Sequence, residues 1–209
     1  ANSHNEANWW FSPVVLVIDT ETTGLNHQFA SLWELACIVL DEDLKFVKKF
    51  EIRVCPPKKI MENVSLKSLQ ISGVTKDELY NFISFKQGSQ KFINFLKDEQ
   101  FVLVGYNLEF DIEFIKDFLA VNGVSFFKNF HYNRVADVFK FVKLLYSIGI
   151  ITEVPNLKLA TIVKYFDMYK GEKFHSAMDD TILTARLFKR IYNFFIENNI
   201  SKESFMKKN

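Results

Sequence analysis

VVLVIDTETTGL, residues 14–25, is an aliphatic run that ends in two acidic residues, Asp19 and Glu21. A run this short is typical of a buried strand rather than a helix. Residues two apart on a strand point to the same face, so both carboxylates share one side. They could be two solvated acids in a surface turn. Alternatively, they could be oxygen ligands for a hard divalent cation such as Mg²⁺ or Mn²⁺, which removes the cost of burying two like charges.

The segments around this strand predict the fold class. Residues 32–54 form two strands that meet in a hairpin at the acidic run 41–43, and FVLVGYN, 101–107, is another buried strand. RVADVF, 134–139, is a short strand that leads into a helix, and helical periodicity covers most of the remainder after residue 64. This order predicts an α/β fold with one mixed five-stranded sheet, an antiparallel meander followed by parallel strands, flanked by helices.

Composition limits the class of protein without naming a partner. The chain has 209 residues, of which 48% are hydrophobic and 23 are phenylalanine, enough for one substantial core. Its 26 basic and 25 acidic residues give a net charge of +1, so overall charge does not indicate nucleic-acid binding. Cys37 and Cys55 form neither a metal-binding pattern nor a disulfide framework. No apolar run reaches the roughly 20 residues of a membrane helix, and the N-terminus lacks a signal-peptide pattern, so we expect a soluble cytoplasmic protein.

Two later clusters also place acids beside helix starts. In VGYNLEFD a strand ends and a helix begins that carries Asp111, with Asn107 as a candidate cap. In FHSAMDDT, His175 stands five residues before Asp180, and histidine is suited to accept a proton near neutral pH. Each cluster alone could be an ordinary strand-to-helix connection or a helix cap. Asp179 competes with Asp180, because adjacent helical residues differ by about 100° in direction.

The three clusters together, DTETTGL, NLEFD and HSAMDD, resemble the motifs of the DnaQ-like, DEDDh-type 3′–5′ exonucleases of the RNase H-like superfamily. That family includes DNA polymerase III epsilon subunits and RNase T-like enzymes. The resemblance extends from about Val14 to Ile191 and implies an RNase H-like fold. It implies a metal-dependent 3′–5′ exonuclease that releases nucleoside 5′-monophosphates from single-stranded 3′ ends.

The resemblance also implies a role for each motif residue. Asp19, Glu21, Asp111 and Asp180 would hold two divalent cations, Mg²⁺ or Mn²⁺, and His175 would be the general base. Asp180, rather than Asp179, falls at the spacing of the family.

A further group of residues would bind the terminal nucleotide: Thr22, Gly24, Leu25, Tyr106, Asn107 and Phe110. Phe110 could equally be a core residue. Tyr106 departs from the family, since many relatives carry histidine there. Phe29 is an additional stacking candidate, although burial in the core or loop is the favoured interpretation for it.

These expectations define domains and partners. We expect an N-terminal extension at 1–13, the exonuclease domain at 14–199 and a short C-terminal tail at 200–209. The expected partner is single-stranded or 3′-ended nucleic acid, and no membrane is expected. The candidate protein partners are a DNA polymerase subunit and a second copy of the chain, which would form a homodimer. DNA proofreading or repair is the favoured setting. The alternatives are an RNA 3′-end trimming exoribonuclease and a non-catalytic nucleic-acid-binding relative.

Overall fold

The structure is a computed structural model that describes residues 14–172, 176–200 and 202–207. The expected N-terminal extension at 1–13 and the predicted base His175 lie outside the described residues.

The strands form a six-stranded mixed sheet in the order β4-β3-β2-β1-β5-β6. Their bounds are β1 Val15–Thr22, β2 Leu32–Leu40, β3 Phe46–Cys55, β4 Ile83–Ser84, β5 Val102–Gly105 and β6 Val135–Asp137. β1 to β3 form an antiparallel meander, and β5 and β6 continue the sheet in parallel with β1. The predicted α/β class and mixed topology are confirmed.

The predicted strand count was one too low. β4 has only two residues and pairs in parallel with Val54 and Cys55 of β3. So short an element leaves no periodic pattern in the sequence, because pairing with a distant strand, and not local alternation, creates it.

Helices cover both faces of the sheet and carry two of the four predicted acidic ligands. Their bounds are α1 Lys58–Asn63, α2 Leu66–Ser72, α3 Lys76–Asn81, α4 Phe85–Leu96, α5 Leu108–Ala120, α6 Val138–Ser147, α7 Leu159–Tyr165, α8 Ala177–Glu197 and α9 Lys202–Met206. A 3-10 turn at Phe126–Lys128 lies between α5 and β6. Within the part of the chain that the structure describes, no helix is long and apolar enough to cross a membrane.

The alternation of side chains along β1 divides the core into two layers. Leu16 and Ile18 face a phenylalanine-rich layer that includes Phe114 and Phe118 of α5. Val15 and Val17 face the opposite layer, which α8 covers with residues such as Leu187. Because both faces of β1 are buried, the strand is fixed in position, and the acids at its carboxyl end have a rigid support.

Candidate active site

The carboxyl end of β1 presents Asp19 and Glu21 on the face covered by α8. Asp19 lies opposite Ala36 of β2, and Glu21 lies opposite Glu34. A register irregularity follows between Glu21 and Thr22, after which Thr22 pairs with Leu32. β1 has an antiparallel neighbour on one side and a parallel neighbour on the other.

The first turn of α8 brings Asp180 to this pair. Carboxylate oxygens of Asp19, Glu21 and Asp180 all lie within 4.8 Å of one another. Asp179 is used differently, because Ser176 donates its hydroxyl to Asp179 Oδ2 at 2.9 Å and accepts from the Asp179 main-chain N–H at 3.1 Å. The cap of the helix therefore occupies Asp179, while Asp180 lies in the acidic cluster.

Asp111, on the first turn of α5, is buried beside the cluster, with 3% of its surface exposed. The Thr20 hydroxyl donates to Asp111 Oδ1 at 2.5 Å, which links the side chain to β1 between the other two acids. Asp111 is not one of the three mutually close carboxylates, but its charge is the strongest of the neighbouring charges that raise the pKa of Asp19. The structure thus brings all four predicted acids to one end of the sheet.

The start of α5 is organised differently from the sequence prediction. Asn107 stands at the cap position, but it adopts a left-handed conformation with φ of 68°, and its side chain makes no capping hydrogen bond. Asp137, at the end of β6, provides the acceptors instead. It accepts from the main-chain N–H groups of Asn107 at 2.9 Å and Leu108 at 3.0 Å, and also from Phe139 at 3.1 Å.

Burial and mutual repulsion make the acidic cluster reluctant to ionise. Burial, and then the charge of Asp180, raise the pKa of Glu21 to about 8. Burial raises the pKa of Asp111 to about 7, against the opposing effect of the Thr20 hydrogen bond. The pKa of Asp19 lies well above its ordinary value, because of burial first and the charge of Asp111 second. A site with these properties favours any species that adds positive charge.

The donor set fits a divalent cation. Asp19 Oδ2 is buried and has no hydrogen-bond partner among the described residues, which is unusual for a charged oxygen. An oxygen-only set of close carboxylates matches the preference of Mg²⁺ and Mn²⁺. A cation there would satisfy the orphaned oxygen and offset the repulsion among the acids.

Two polar residues that support the site were missed by the sequence analysis. Glu34 of β2 is 1% exposed, and its carboxylate accepts from Arg53 Nε at 2.6 Å and from the Ala177 main-chain N–H at 2.7 Å. Its signal was a lone acid inside the apolar run LWELACIVL. Asp137 was the other, and its signal was an acid at a strand-to-helix junction.

The loop after β1 is closed by its own hydrogen bonds. The Thr23 main-chain N–H donates to Ser31 O at 2.9 Å, and the Thr22 hydroxyl donates to Gly24 O at 2.8 Å. Gly24 lies close to the other side of the loop, since a Cβ there would come within 3.2 Å of Ala30 Cβ.

This loop exposes two large apolar side chains, Leu25 at 88% and Phe29 at 75%. The favoured prediction that Phe29 is buried was therefore wrong. Phe29 lies in a turn of this loop, where its main-chain N–H donates to Asn26 O at 3.0 Å and its side chain is left in solvent.

The remaining predicted substrate residues lie around α5. Phe110 is half-buried, and its ring centroid is 4.9 Å from that of Phe114, so it packs on the core while part of it stays accessible. Tyr106 donates its hydroxyl to Leu157 O and stacks edge-on against Phe139. Its only donor is therefore used within the protein. Asn107 is exposed.

Comparison with known proteins agrees with this geometry. The sequence model of a family described as Exonuclease matches residues 16–188, which include the four acids and His175. The chain belongs to this exonuclease family. The resemblance inferred from the three motifs is thereby confirmed.

The relatives of this chain include proteins named as DNA polymerase III or its epsilon subunit. The chain is 27% identical over 194 residues to a PolC-type DNA polymerase III of Thermotoga maritima, and the match covers 92% of the chain but 13% of that protein. It is 25% identical over 187 residues to the DNA polymerase III epsilon subunit of Buchnera aphidicola from Schizaphis graminum, covering 85% of the chain and 72% of the subunit. The chain therefore corresponds to a small part of the PolC-type relatives.

Solved structures show the same fold. Exonuclease I of Escherichia coli in complex with a dT13 oligonucleotide matches with a TM-score of 0.72 and 16% identity, over 88% of this chain and 43% of that one. The zinc-bound form of the same enzyme with single-stranded DNA has a TM-score of 0.70 and 16% identity, over 87% and 43%. This likeness confirms the predicted RNase H-like fold.

Proposed function

We propose that this chain is a metal-dependent 3′–5′ exonuclease that releases nucleoside 5′-monophosphates from single-stranded 3′ ends, with DNA as the favoured substrate. The observation that supports the proposal most is the cluster of Asp19, Glu21 and Asp180 at the end of a rigid central strand. Family membership supports the same reaction class.

The acids would hold two divalent cations, Mg²⁺ or Mn²⁺. Asp19, Glu21 and Asp180 offer close oxygens on one face, and Asp111, held by Thr20, adds a fourth carboxylate from α5. When bound, such a pair of cations generates a nucleophile from water near neutral pH and stabilises charge on the leaving oxygen of an in-line displacement.

Other residues of the chain would handle the proton and the nucleotide. His175 stands two residues before the start of α8 in the sequence, and its neutral imidazole would accept a proton from the attacking water. Thr22, Gly24 and Leu25 would hold the terminal nucleotide. Leu25 and Phe29 offer apolar surfaces to bases, and such stacking is tolerant of sequence because each base has a π-face.

The substrate class rests on the relatives. Exonuclease I was solved with dT13, and PolC-type and epsilon proteins are named as DNA polymerase III components, which favours single-stranded DNA and proofreading or repair. An RNA 3′-end trimming enzyme is the alternative, and contact with the 2′-hydroxyl is the feature that would distinguish the two substrates. On this proposal residues 14–199 are the exonuclease domain, and a polymerase subunit is a partner.

The direct test is digestion of a 5′-labelled single-stranded oligonucleotide with Mg²⁺ or Mn²⁺. We expect a ladder of labelled products that shortens from the 3′ end, with matched DNA, RNA and duplex substrates compared side by side.

Asp19→Asn keeps the shape of the side chain but removes its charge. It should slow digestion more than about 100-fold, which is the upper end of the loss seen for outer partners of metal sites.

Two results would contradict the proposal. Immediate release of the labelled 5′ nucleotide would mean the opposite polarity. Tight binding of the strand with no release of nucleotide under either cation would instead favour a non-catalytic relative.

A further inference from the structure

Glu34 is a charged residue in a strand whose nine positions are all buried. It faces Glu21 across the β1–β2 ladder, so it adds a negative charge to an already acidic region. Its charge contributes to the raised pKa of Glu21, after burial and the charge of Asp180. A buried acid in this position weakens the fold unless its oxygens are well paired.

Both oxygens of Glu34 are used by protein donors. Oε2 accepts from Arg53 Nε of β3 at 2.6 Å, and Oε1 accepts from the Ala177 main-chain N–H at 2.7 Å. Glu34 also lies outside the group of Asp19, Glu21 and Asp180, whose carboxylate oxygens are within 4.8 Å of one another. Glu34 is thus distinguished from Asp19, whose buried Oδ2 has no hydrogen-bond partner among the described residues.

The bond to Ala177 fixes the beginning of α8. Ala177 is the first residue of that helix, where main-chain N–H groups have no partner within the helix and a negative charge is favoured. Thr181, one turn on, shares its hydroxyl proton between Ala177 O of the same helix at 2.7 Å and Ala36 O of β2 at 3.3 Å, so its link to β2 is the weaker of the two attachments of this turn. Asp180 lies between these attachments.

Arg53 offsets the cost of burying the Glu34 carboxylate in an acidic environment. Its guanidinium compensates the charge of Glu34 from the neighbouring strand, and the pairing with Glu34 raises the pKa of Arg53 further. The Arg53 side chain is 52% exposed, so Glu34 is linked through it to solvent.

We infer that Glu34, paired with Arg53, is a positioning residue that fixes the first turn of α8 against β2 and so keeps the Asp180 carboxylate within reach of Asp19 and Glu21. The inference rests on the proposed function, because it assumes that these three carboxylates share a cation. Glu34 itself is not a ligand in this arrangement. Its action reaches the metal through the main chain of Ala177 and the helix turn that carries Asp180.

The test measures Mn²⁺ binding to the full chain without nucleic acid. Binding is followed by isothermal titration calorimetry or by the electron paramagnetic resonance spectrum of free Mn²⁺. Glu34→Gln preserves shape and removes the charge, and Arg53→Ala removes the partner from an exposed position. We expect Glu34→Gln to raise the Mn²⁺ dissociation constant about 10- to 100-fold, as loss of an outer partner of a metal site does. Arg53→Ala should raise it in the same direction.

Lys48→Ala is the matched control, because Lys48 lies on the same strand and forms an ion pair with Glu99 at 3.2 Å. It should leave the Mn²⁺ affinity unchanged. A second readout is the Mg²⁺ concentration that gives half the maximal digestion rate. This concentration should be higher for Glu34→Gln than for the parent, whereas the digestion rates of the two proteins at saturating Mg²⁺ should be similar. A purely structural role would lower the melting temperature without moving this concentration.

The outcomes separate the inference from the proposed function. If the parent chain binds no Mn²⁺, the metal assignment itself fails. If the parent binds Mn²⁺ and folded Glu34→Gln binds it equally well, the positioning role is wrong while the metal site stands. Should Glu34→Gln not fold, an unchanged Mn²⁺ affinity in Arg53→Ala overturns the inference on its own.

Discussion

Asp179 and Asp180 are adjacent in the chain, yet their carboxylates have different partners. Asp179 exchanges two hydrogen bonds with Ser176 at the start of α8, whereas Asp180 lies in the cluster with Asp19 and Glu21. Sequence reasoning recognised that the two compete. The motif spacing favoured Asp180 as the candidate ligand. The hydrogen bonds between Asp179 and Ser176 agree with that assignment, because they engage Asp179 in capping the helix.

This pair permits a matched substitution. Asp180→Asn should slow digestion more than about 100-fold and weaken Mn²⁺ binding, since it removes a charged oxygen from the proposed ligand set. Asp179→Asn should cost about 1 kcal/mol of unfolding free energy, as loss of a cap interaction does, and leave most activity. Steady-state digestion rates and urea unfolding of both variants check this. Equal losses of activity in both would contradict the assignment.

At the level of single residues, the sequence predicted the acids but not their supports. Asp19 and Glu21 were visible because a strand ending in two acids is uncommon, and the later motifs gave them partners. Glu34 was not recognised, because its partner Ala177 is 143 residues away in the chain. Phe29 was predicted to be buried because it is hydrophobic, and hydrophobicity alone does not show that a residue is exposed in a loop.

Among the elements, α5 and α6 depend on one carboxylate. Asp137 accepts from main-chain N–H groups of Asn107 and Leu108 at the start of α5 and of Phe139 at the start of α6. It also fixes the left-handed turn at Asn107, from which the helix with Asp111 begins. The strand-to-helix connection that carries a proposed ligand is therefore set by a third element, β6.

Asp137→Asn tests this dependence. The amide keeps one acceptor oxygen in place of two and loses the charge, so we expect a loss of about 1–2 kcal/mol in unfolding free energy, the range for helix caps. Digestion should also slow, because Asp111 lies on the first turn of α5. Ser84→Ala, which removes the single cap bond to Gln87 at the start of α4, should reduce stability without a comparable change in rate. Chemical denaturation and digestion assays on both variants measure this, and an unaltered rate in folded Asp137→Asn would contradict it.

The elements were predicted better than their ends. Each of the five expected strands is present, because apolar runs and turn residues mark them locally. The start of α5 at Leu108 was assigned to an Asn107 cap, although the acceptor comes from residue 137, beyond any local pattern. The same limit explains β4, which exists only through its pairing with β3.

For the whole molecule, the acidic site makes stability depend on pH. The pKa of Glu21 rises from 4.5 to about 8 in the folded chain, and that of Asp111 from 3.8 to about 7. The folded state therefore binds more protons than the unfolded state between these values. Its free energy of unfolding falls as pH rises from about 4 to about 8.

We expect the melting temperature in a chelator to fall across this pH range, with these two carboxyls contributing to the decline. Mg²⁺ or Mn²⁺ should raise the melting temperature most at pH 8, where the acids must otherwise ionise unpaired, because a cation that binds only the folded state stabilises it. Differential scanning calorimetry at several pH values, with and without cation, measures both effects. Glu21→Gln should flatten the decline in the chelator, and a slope identical to that of the parent would show that Glu21 is not responsible.

The outer strands of the sheet have a consequence for behaviour in concentrated solution. β6 has three residues, so that edge of the sheet is short, whereas at the other edge the two residues of β4 pair with only two of the ten residues of β3. The longer strand β3, which β4 covers at Val54 and Cys55, carries the charged residues Lys48, Lys49, Glu51 and Arg53 along its length. Short and charged margins of this kind discourage strand-to-strand aggregation. Arg53, which balances Glu34 inside the sheet, thus also helps to keep separate molecules apart.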